Sequence, residues 1–458
     1  MKVLFASSEI FPFAKSGGLA DVANSLPKAL SKQIDIVSVM PLYGFMDEKK
    51  LNKADISFEI NLGGIEYKIE ILFTKVDGFL TYFIKAPLLS TTLNLYGDKE
   101  AYANNDIRFG IFSASIVQLA KALHAEIVHL NDWHCALSAF WLKDTGIKSI
   151  FTIHNLAYQG IFEKDSLSRL GIGFEHFNMD DLEFYGKCNF MKAGIRYSDV
   201  LTTVSPTYAK EILTPTYGCG LNGFLNLYKR KLHGILNGIN RDFFNPKTDE
   251  LIFKNYDKNS LNLKQKNKKE LYKKVNLTDI KLPLFVMISR LVEQKGFGIL
   301  LESIDKILEK KLNLLLLVDG QSKFKEPLMQ IAKKSKNFSL IFGYNESLSH
   351  QLYASADFLL MPSLFEPCGL NQMIAMAYGT IPIVHGTGGL KDSVHEKSSR
   401  CGKGIVFAKP SKKSLLLAID RAMKLENIKQ LQKFNMDCDL SFDESAKKYI
   451  TIYKEILK

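Results

Sequence analysis

Cysteine is scarce and scattered. The six residues, Cys135, Cys188, Cys219, Cys368, Cys401 and Cys438, form no Cys-x-x-Cys pair in a chain of 458 residues. That argues against a disulfide framework and against a structural zinc held by thiolates. No apolar run reaches the length of a membrane span, and "LNLLLLV" (Leu312 to Val318) suits a buried parallel strand instead. The opening "MKVLFASSEIFPF" has too short an apolar run for a secretory signal. It is expected to form a first strand, and the protein is expected to be cytoplasmic. Acidic residues are outnumbered, 48 against 60 basic ones, giving a formal net charge of +12. The excess invites a nucleic-acid reading, yet no helix-turn-helix, RNP-like or zinc motif accompanies it. Much of it sits in stretches such as Lys258 to Lys274, which are expected to be solvated surface.

What is present is an α/β pattern. Hydrophobic residues make up 46% and charged residues 24%, and the length calls for at least two domains. Short apolar runs alternate with amphipathic helical patterns, as in a parallel sheet with crossover helices. The first half offers "KVLFAS", "EIVHLN", "SIFTIH", "DVLTTVS" and "LHGILN" as strands. The second half offers "LFVMISR", "NLLLLVD", "SLIFGY", "DFLLMPS", "TIPIVH" and "KGIVFA". Glu59 to Ala86 alternates differently and is expected to be a small antiparallel insertion. A Lys- and Asn-rich stretch from Asn245 to Leu282 separates the halves, placing the boundary near residue 240. The expected division is 1–240, 241–440, and a C-terminal amphipathic helix over 441–458.

Ligands of open α/β sheets bind beyond the carboxyl ends of the strands. Polar residues and glycines gather there in both halves. The turn Lys15-Ser16-Gly17-Gly18-Leu19 follows the first strand, and Thr387-Gly388-Gly389-Leu390 follows "TIPIVH". A Gly-Gly turn opening a helix presents backbone N–H groups to an anion, and glycine permits close approach or positive φ. A plain structural turn is the alternative for either one alone. Arg290 and Lys295, just past a strand, are placed to neutralise a diphosphate; otherwise they are solvated cations. Glu366 suits sugar hydroxyls or, more plainly, a helix cap. His134 and His154 lack the carboxylates of a metal site and suit neutral hydrogen bonding. Cys368 has no His partner spacing for a nucleophile and is read as a packed neighbour of the ligand.

In order, "KSGGLADV", "DWH", "TIHNLAYQG", "VSPTYAKEI", "GILNGIN", "SRLVEQKG", "FEPCGLNQM" and "GTGGLKDSV" closely resemble the bacterial glycogen synthases and plant starch synthases. The resemblance covers essentially the whole chain. It implies a GT-B fold, two Rossmann-like domains facing a deep cleft, with the C-terminal helix crossing back to the N-terminal domain. It also implies retaining transfer of glucose from ADP-glucose to the non-reducing end of an α-1,4-glucan, with no metal or other cofactor. Its partners are then those two substrates, with no nucleic acid and no membrane. By the resemblance, Arg290 and Lys295 stabilise the departing diphosphate, Glu366 holds the glucosyl hydroxyls, and the backbone carbonyl of His154 steadies positive charge. Lys15, Gly17 and Gly18 lie near the diphosphate and acceptor, and Gly388 and Gly389 grip the distal phosphate. Asp132 and His134 line the acceptor and donor side, while Tyr96 and Tyr344 flank the sugar and the adenine. Asn237, Cys368, Gly369, Leu370 and Thr387 complete the substrate-binding set.

Three departures stand out. Asn131 precedes "DWH" where many relatives have His, Asn240 follows "NGI" where many have Asp, and Val318-Asp319-Gly320-Gln321 replaces a Gly-x-Gly-Asp turn. The last bears on the nucleotide, so ADP- against UDP-glucose stays open here. A catalytically silent glucan-binding protein is the alternative of a different class; the retained Arg290 and Lys295 count against it.

Overall fold

The computed structural model describes residues 1–98, 100–320, 322–396 and 402–458, so Gln321 and Cys401 lie outside the described residues. The chain divides into two units, Met1–Asn237 with Phe442–Lys458, and Gly238–Ser441. Among the described residues no helix is long and apolar enough to cross a membrane.

The strands of the first unit are β1 (Lys2–Ala6), β2 (Asp35–Pro41), β3 (Asn52–Leu62), β4 (Ile65–Val76), β5 (Phe79–Lys85) and β6 (Ile127–Asn131). They continue with β7 (Lys148–Ile153), β8 (Ile161–Phe162), β9 (Glu183–Phe184), β10 (Lys187–Asn189), β11 (Val200–Thr203) and β12 (Leu232–Gly234). One nine-stranded sheet runs β12-β11-β7-β6-β1-β2-β5-β4-β3, and β8-β10-β9 form a small sheet apart from it. β1 pairs in parallel with β2 on one side and β6 on the other, which makes its carboxyl end a topological switch point. The expected antiparallel insertion is present as β3, β4 and β5. It is not a separate sheet, because β5 joins β2 in parallel and extends the main one.

The C-terminal helix, Asp443–Ile456, belongs to this first unit. Ala446, Tyr449, Ile450 and Tyr453 recur at three- and four-residue steps, so they share one face. That face joins Val22, Leu26 and Leu30 of the helix Gly18–Leu30 in one core. Each buried tyrosine ring contributes on the order of several kcal/mol through area alone. The Tyr453 hydroxyl meets His129 Nδ1 at 2.7 Å, and His129 Nε2 meets Thr152 Oγ1 at 2.6 Å. Burial pushes the His129 pKa down to about 3, so this core imidazole is neutral.

The second unit holds β13 (Leu284–Arg290), β14 (Asn313–Asp319), β15 (Phe338–Phe342), β16 (Phe358–Met361), β17 (Ile381–His385) and β18 (Ile405–Phe407). All pair in parallel, in the order β15-β14-β13-β16-β17-β18. The order reverses between β13 and β16, so this unit too is doubly wound, with its own switch point. Buried on both faces, its strands carry near-continuous apolar runs such as Leu314 to Val318.

The Lys-rich stretch departs from the expectation of a solvated surface. Lys266, Lys269 and Lys273 are exposed, but Lys264 and Lys268 are buried in the second unit. Lys264 Nζ donates to Tyr353 O at 2.8 Å, Tyr378 O at 3.1 Å and Thr380 Oγ1 at 2.8 Å. Lys268 pairs with Asp357 at 2.9 Å. Both ammonium groups are tolerated because each meets several acceptors. Burial pushes the Lys264 pKa down to about 7, against about 10.4 in an unfolded chain. Between those values the unfolded chain binds the extra proton, so the Lys264 contribution to stability rises with pH. Urea unfolding should therefore show the wild type gaining on Lys264→Met from pH 7 to pH 10. A constant gap would show that the amine does not titrate in this window.

Candidate functional site

In the second unit the chemistry gathers at the switch point. β13 and β16 are neighbours, so the turns after them meet. Leu364 N donates to Gln294 O at 2.8 Å, and Gln294 Nε2 to Phe365 O at 3.2 Å. These bonds bring Lys295 Nζ to 2.6 Å from Glu366 Oε2, with both side chains largely buried. Ser363 Oγ donates to the same carboxylate oxygen at 3.0 Å, and His385 Nδ1 lies 2.7 Å from Ser363 O. Arg290 ends β13 exposed, and no ion pair involves it among the described residues. Arg290 stands in strand register with Asp319, so this edge carries two cations, Arg290 and Lys295, and two carboxylates, Glu366 and Asp319.

The turn Thr387-Gly388-Gly389 packs on the same edge, and its glycines have a steric reason. Gly388 has φ +44, and a Cβ there would lie 2.0 Å from Glu366 O. A Cβ on Gly389 would lie 2.3 Å from Cys368 O. The Gly389 amide donates to Glu366 O and Pro367 O, both at 3.1 Å, so it is engaged within the unit. Thr387 is the N-cap of the helix Gly388–Ser393, Leu370 that of Asn371–Ala377, and Gly369, just before Leu370, is left-handed at φ +72. Cys368 is a buried thiol. Tyr344, past the edge strand β15, is 64% exposed and stands outside this cluster.

The first unit organises its switch point around a residue that sequence reasoning passed over. Glu9 is buried, and no ion pair involves it among the described residues. Its carboxylate accepts from Ser16 N at 2.5 Å, Ser16 Oγ at 2.6 Å and Tyr96 Oη at 2.6 Å. It thereby fixes both the Lys15–Gly18 turn and Tyr96. Lys15 pairs with Asp21 at 2.8 Å, one turn into the helix that Gly18 begins. At Gly17 the backbone is extended, φ −162, and a Cβ would meet nothing within 4 Å. The two Gly-Gly-Leu turns thus differ: Gly388 and Gly389 are packed against backbone, whereas Gly17 borders open space. A single acidic residue three places past an apolar run, in "ASSEIF", was the available signal for Glu9.

Beyond β6 and β7 lie the remaining polar groups. Asp132 stands in a left-handed position, φ 57 and ψ 178, uncommon for a side chain with a Cβ. Its Oδ1 accepts from His154 N at 2.7 Å. Burial pushes its pKa up to about 7, opposed by the amide bonds from His154 and Asn155. His154 Nε2 lies 2.8 Å from Asn131 Oδ1, an acceptor, which assigns the proton to Nε2. Asn131, noted above only as a departure, is thus a positioning residue: its Nδ2 is anchored to Ala6 O at 2.8 Å. Burial holds His154 near pKa 3 and His134 well below the usual range, so both rings are neutral. His134 stacks on Tyr96 at 4.6 Å; among the described residues its buried Nδ1 and the buried Oδ1 of Asn237 have no hydrogen-bond partner. Such unspent polar atoms suit a hydroxyl-rich ligand. Among the described residues no cluster of three or more His, Cys, Asp or Glu could hold a metal ion.

Comparison with known proteins gives concordant findings. The family described as "Starch synthase catalytic domain" matches residues 2–227, and "Glycosyl transferases group 1" matches 268–436. The glycogen synthase of Aquifex aeolicus is 43% identical over 467 residues, covering 100% of this chain and 99% of that protein. That of Fervidobacterium nodosum is 40% identical, covering 99% and 98%. The catalytic domain of Arabidopsis thaliana starch synthase IV, solved with ADP and acarbose, superposes with a TM-score of 0.91 at 31% identity over 99% of each chain. Sucrose-phosphate synthase of Thermosynechococcus elongatus, with a TM-score of 0.64 at 14% identity over 100% of this chain and 99% of that one, is similar in fold alone.

Proposed function

The chain belongs to the glycogen and starch synthase family of glycosyltransferases, and on that premise we propose that it is a glycogen synthase using ADP-glucose. In this reading glucose passes, with retention, to the non-reducing end of an α-1,4-glucan, and no metal takes part. The observation that carries it is the buried Lys295–Glu366 pair at the β13/β16 switch point, with Arg290 at the end of β13.

Leaving-group charge is what this edge supports. As the bond from the anomeric carbon to the diphosphate loosens, Arg290 and Lys295 meet the growing negative charge, an interaction stronger in the transition state than before it. Glu366, already oriented by Ser363, accepts from glucosyl hydroxyls. The first unit serves the glucosyl and acceptor side. Asp132 Oδ1 accepts from the His154 amide and, at 3.4 Å, from the Asn155 amide, whose peptide carries the His154 carbonyl and holds it toward developing positive charge, and the open border at Gly17 leaves room for sugar. The acceptor hydroxyl then attacks from the face the diphosphate leaves, so configuration is retained without a protein nucleophile.

UDP-glucose is the second reading, left open by the departure of the 318–321 turn from Gly-x-Gly-Asp. Asp319 of the altered turn stands in register with Arg290 across β13 and β14. The deciding assay compares ADP-glucose with UDP-glucose on glycogen and malto-oligosaccharides, in the presence of a chelator. Primer extension preferring ADP-glucose is expected. Preference for UDP-glucose moves the donor assignment, dependence on added metal removes the metal-free mechanism, and glucan binding without transfer overturns the enzyme reading.

A further inference from the structure

We propose that Arg108 is a positioning residue for the sugar side of the first unit: it clamps the segment that carries Tyr96 and so sets the place of that ring. The proposal rests on the reading that Tyr96 flanks the sugar.

Arg108 stands in the first turn of the helix Asn105–Ala122 and is fully buried. No ion pair involves it among the described residues. Burying a guanidinium without a carboxylate is costly, and the first turn is the end of a helix where the dipole disfavours a cation. Ile107, Phe109, Ile111 and Phe112 around it are all buried, so packing alone calls for an apolar side chain at this position.

The acceptors it meets explain the choice. Nε donates to Leu88 O at 3.2 Å, Nη2 to Thr92 Oγ1 at 3.0 Å and Leu95 O at 3.1 Å, and Nη1 to Asn105 Oδ1 at 2.5 Å. A planar fork of five donors reaches acceptors that the single ammonium of lysine would not span. Three of them lie on the stretch leading into Tyr96, which from Thr91 onward has neither helix nor strand. Holding the Asn105 oxygen also sets the other end of that amide, whose Nδ2 donates to Tyr96 O at 2.8 Å. Tyr96 is thus fixed through the carbonyl before it and through its own. Its ring then stacks on His134, and its hydroxyl donates to Glu9 at 2.6 Å.

Glu9 is the opposite buried charge, and Tyr96 joins the two, its hydroxyl on the anion and its backbone on the cation's network. Tyr43 feels both: burial pushes its pKa up, Arg108 opposes that rise and Glu9 adds to it. The Arg108 charge also adds to burial in keeping His134 neutral.

Arg108→Lys keeps the charge and loses the span. With ADP-glucose and glycogen its kcat should fall about tenfold to hundredfold, the scale of a ring misplaced by about 1 Å. Arg108→Lys/Tyr96→Ala should be no less active than Tyr96→Ala, since Arg108 acts through that ring; losses that multiply overturn the proposal. Asn105→Asp keeps an oxygen for Arg108, now as an ion pair, and removes the donor to Tyr96 O. Its melting temperature should match or exceed that of the wild type while kcat falls about tenfold, and it decides alone if Arg108→Lys does not fold. Unchanged activity in Asn105→Asp, or a loss only in step with melting temperature, overturns the positioning role. Wild-type activity in Tyr96→Ala overturns it while the synthase reading stands. A wild type that transfers glucose to no primer overturns that reading and this inference with it.

Discussion

Lys295→Ala should lower kcat by about 10²–10³-fold, the scale of removing one preorganised charge-stabilising group. Two effects must be separated. Lys295 Nζ stands 2.6 Å from Glu366, so its loss also leaves a largely buried carboxylate with Ser363 as its remaining side-chain donor. Breaking a fully buried pair costs about 3–5 kcal/mol, and the 18% exposure of Lys295 reduces that. The double variant Lys295→Ala/Glu366→Gln removes the stranded charge. Its melting temperature should return toward the wild type while its turnover stays low. Activity returning together with stability would show that Lys295 acts only by holding the turn.

Asp132→Asn should separate activity from stability in opposite directions. Asparagine keeps an oxygen for the His154 amide and tolerates the left-handed backbone, but carries no charge. We expect kcat/KM to fall by about 10²-fold if the anion stabilises the developing glucosyl cation. The wild-type profile should lose activity as pH drops through about 7, where Asp132 takes up its proton, and the variant should lack that limb. The stability sign is the reverse. With the folded pKa raised to about 7 and the unfolded one about 3.9, the folded chain binds the extra proton between them. Wild-type stability from this group is therefore lost as pH rises through that window, and Asp132→Asn should be the more stable protein at pH 7.5. A variant within fivefold of wild-type activity, or one keeping the same acid limb, would remove the electrostatic role.

The strand ends were legible because buried parallel strands are written as continuous apolar runs. Where a run is broken the signal fails. β2 carries the fully buried Ser38 in "DIVSVMP", and β8, β9 and β10 are two or three residues long. Long-range polar contacts were illegible for a different reason. Nothing near Lys264 announces acceptors 89 to 116 residues away, nor does anything near Glu9 announce Tyr96, 87 residues on. The repeated Gly-Gly-Leu shows the limit of letters alone. One copy answers to backbone packing and the other borders open space, and only coordinates distinguish them.

The first unit begins at Met1 and is completed by Phe442–Lys458. During synthesis, its core face of Val22, Leu26 and Leu30 therefore waits for almost the whole chain to be made before Tyr449 and Tyr453 cover it. The second unit, contiguous from Gly238 to Ser441, can finish folding first. At about 5–20 residues per second that wait lasts tens of seconds, with apolar surface open to chaperones and to neighbouring nascent chains. A nonsense codon ahead of Tyr449 would thus spare the later-made unit and leave the earlier-made one unfinished.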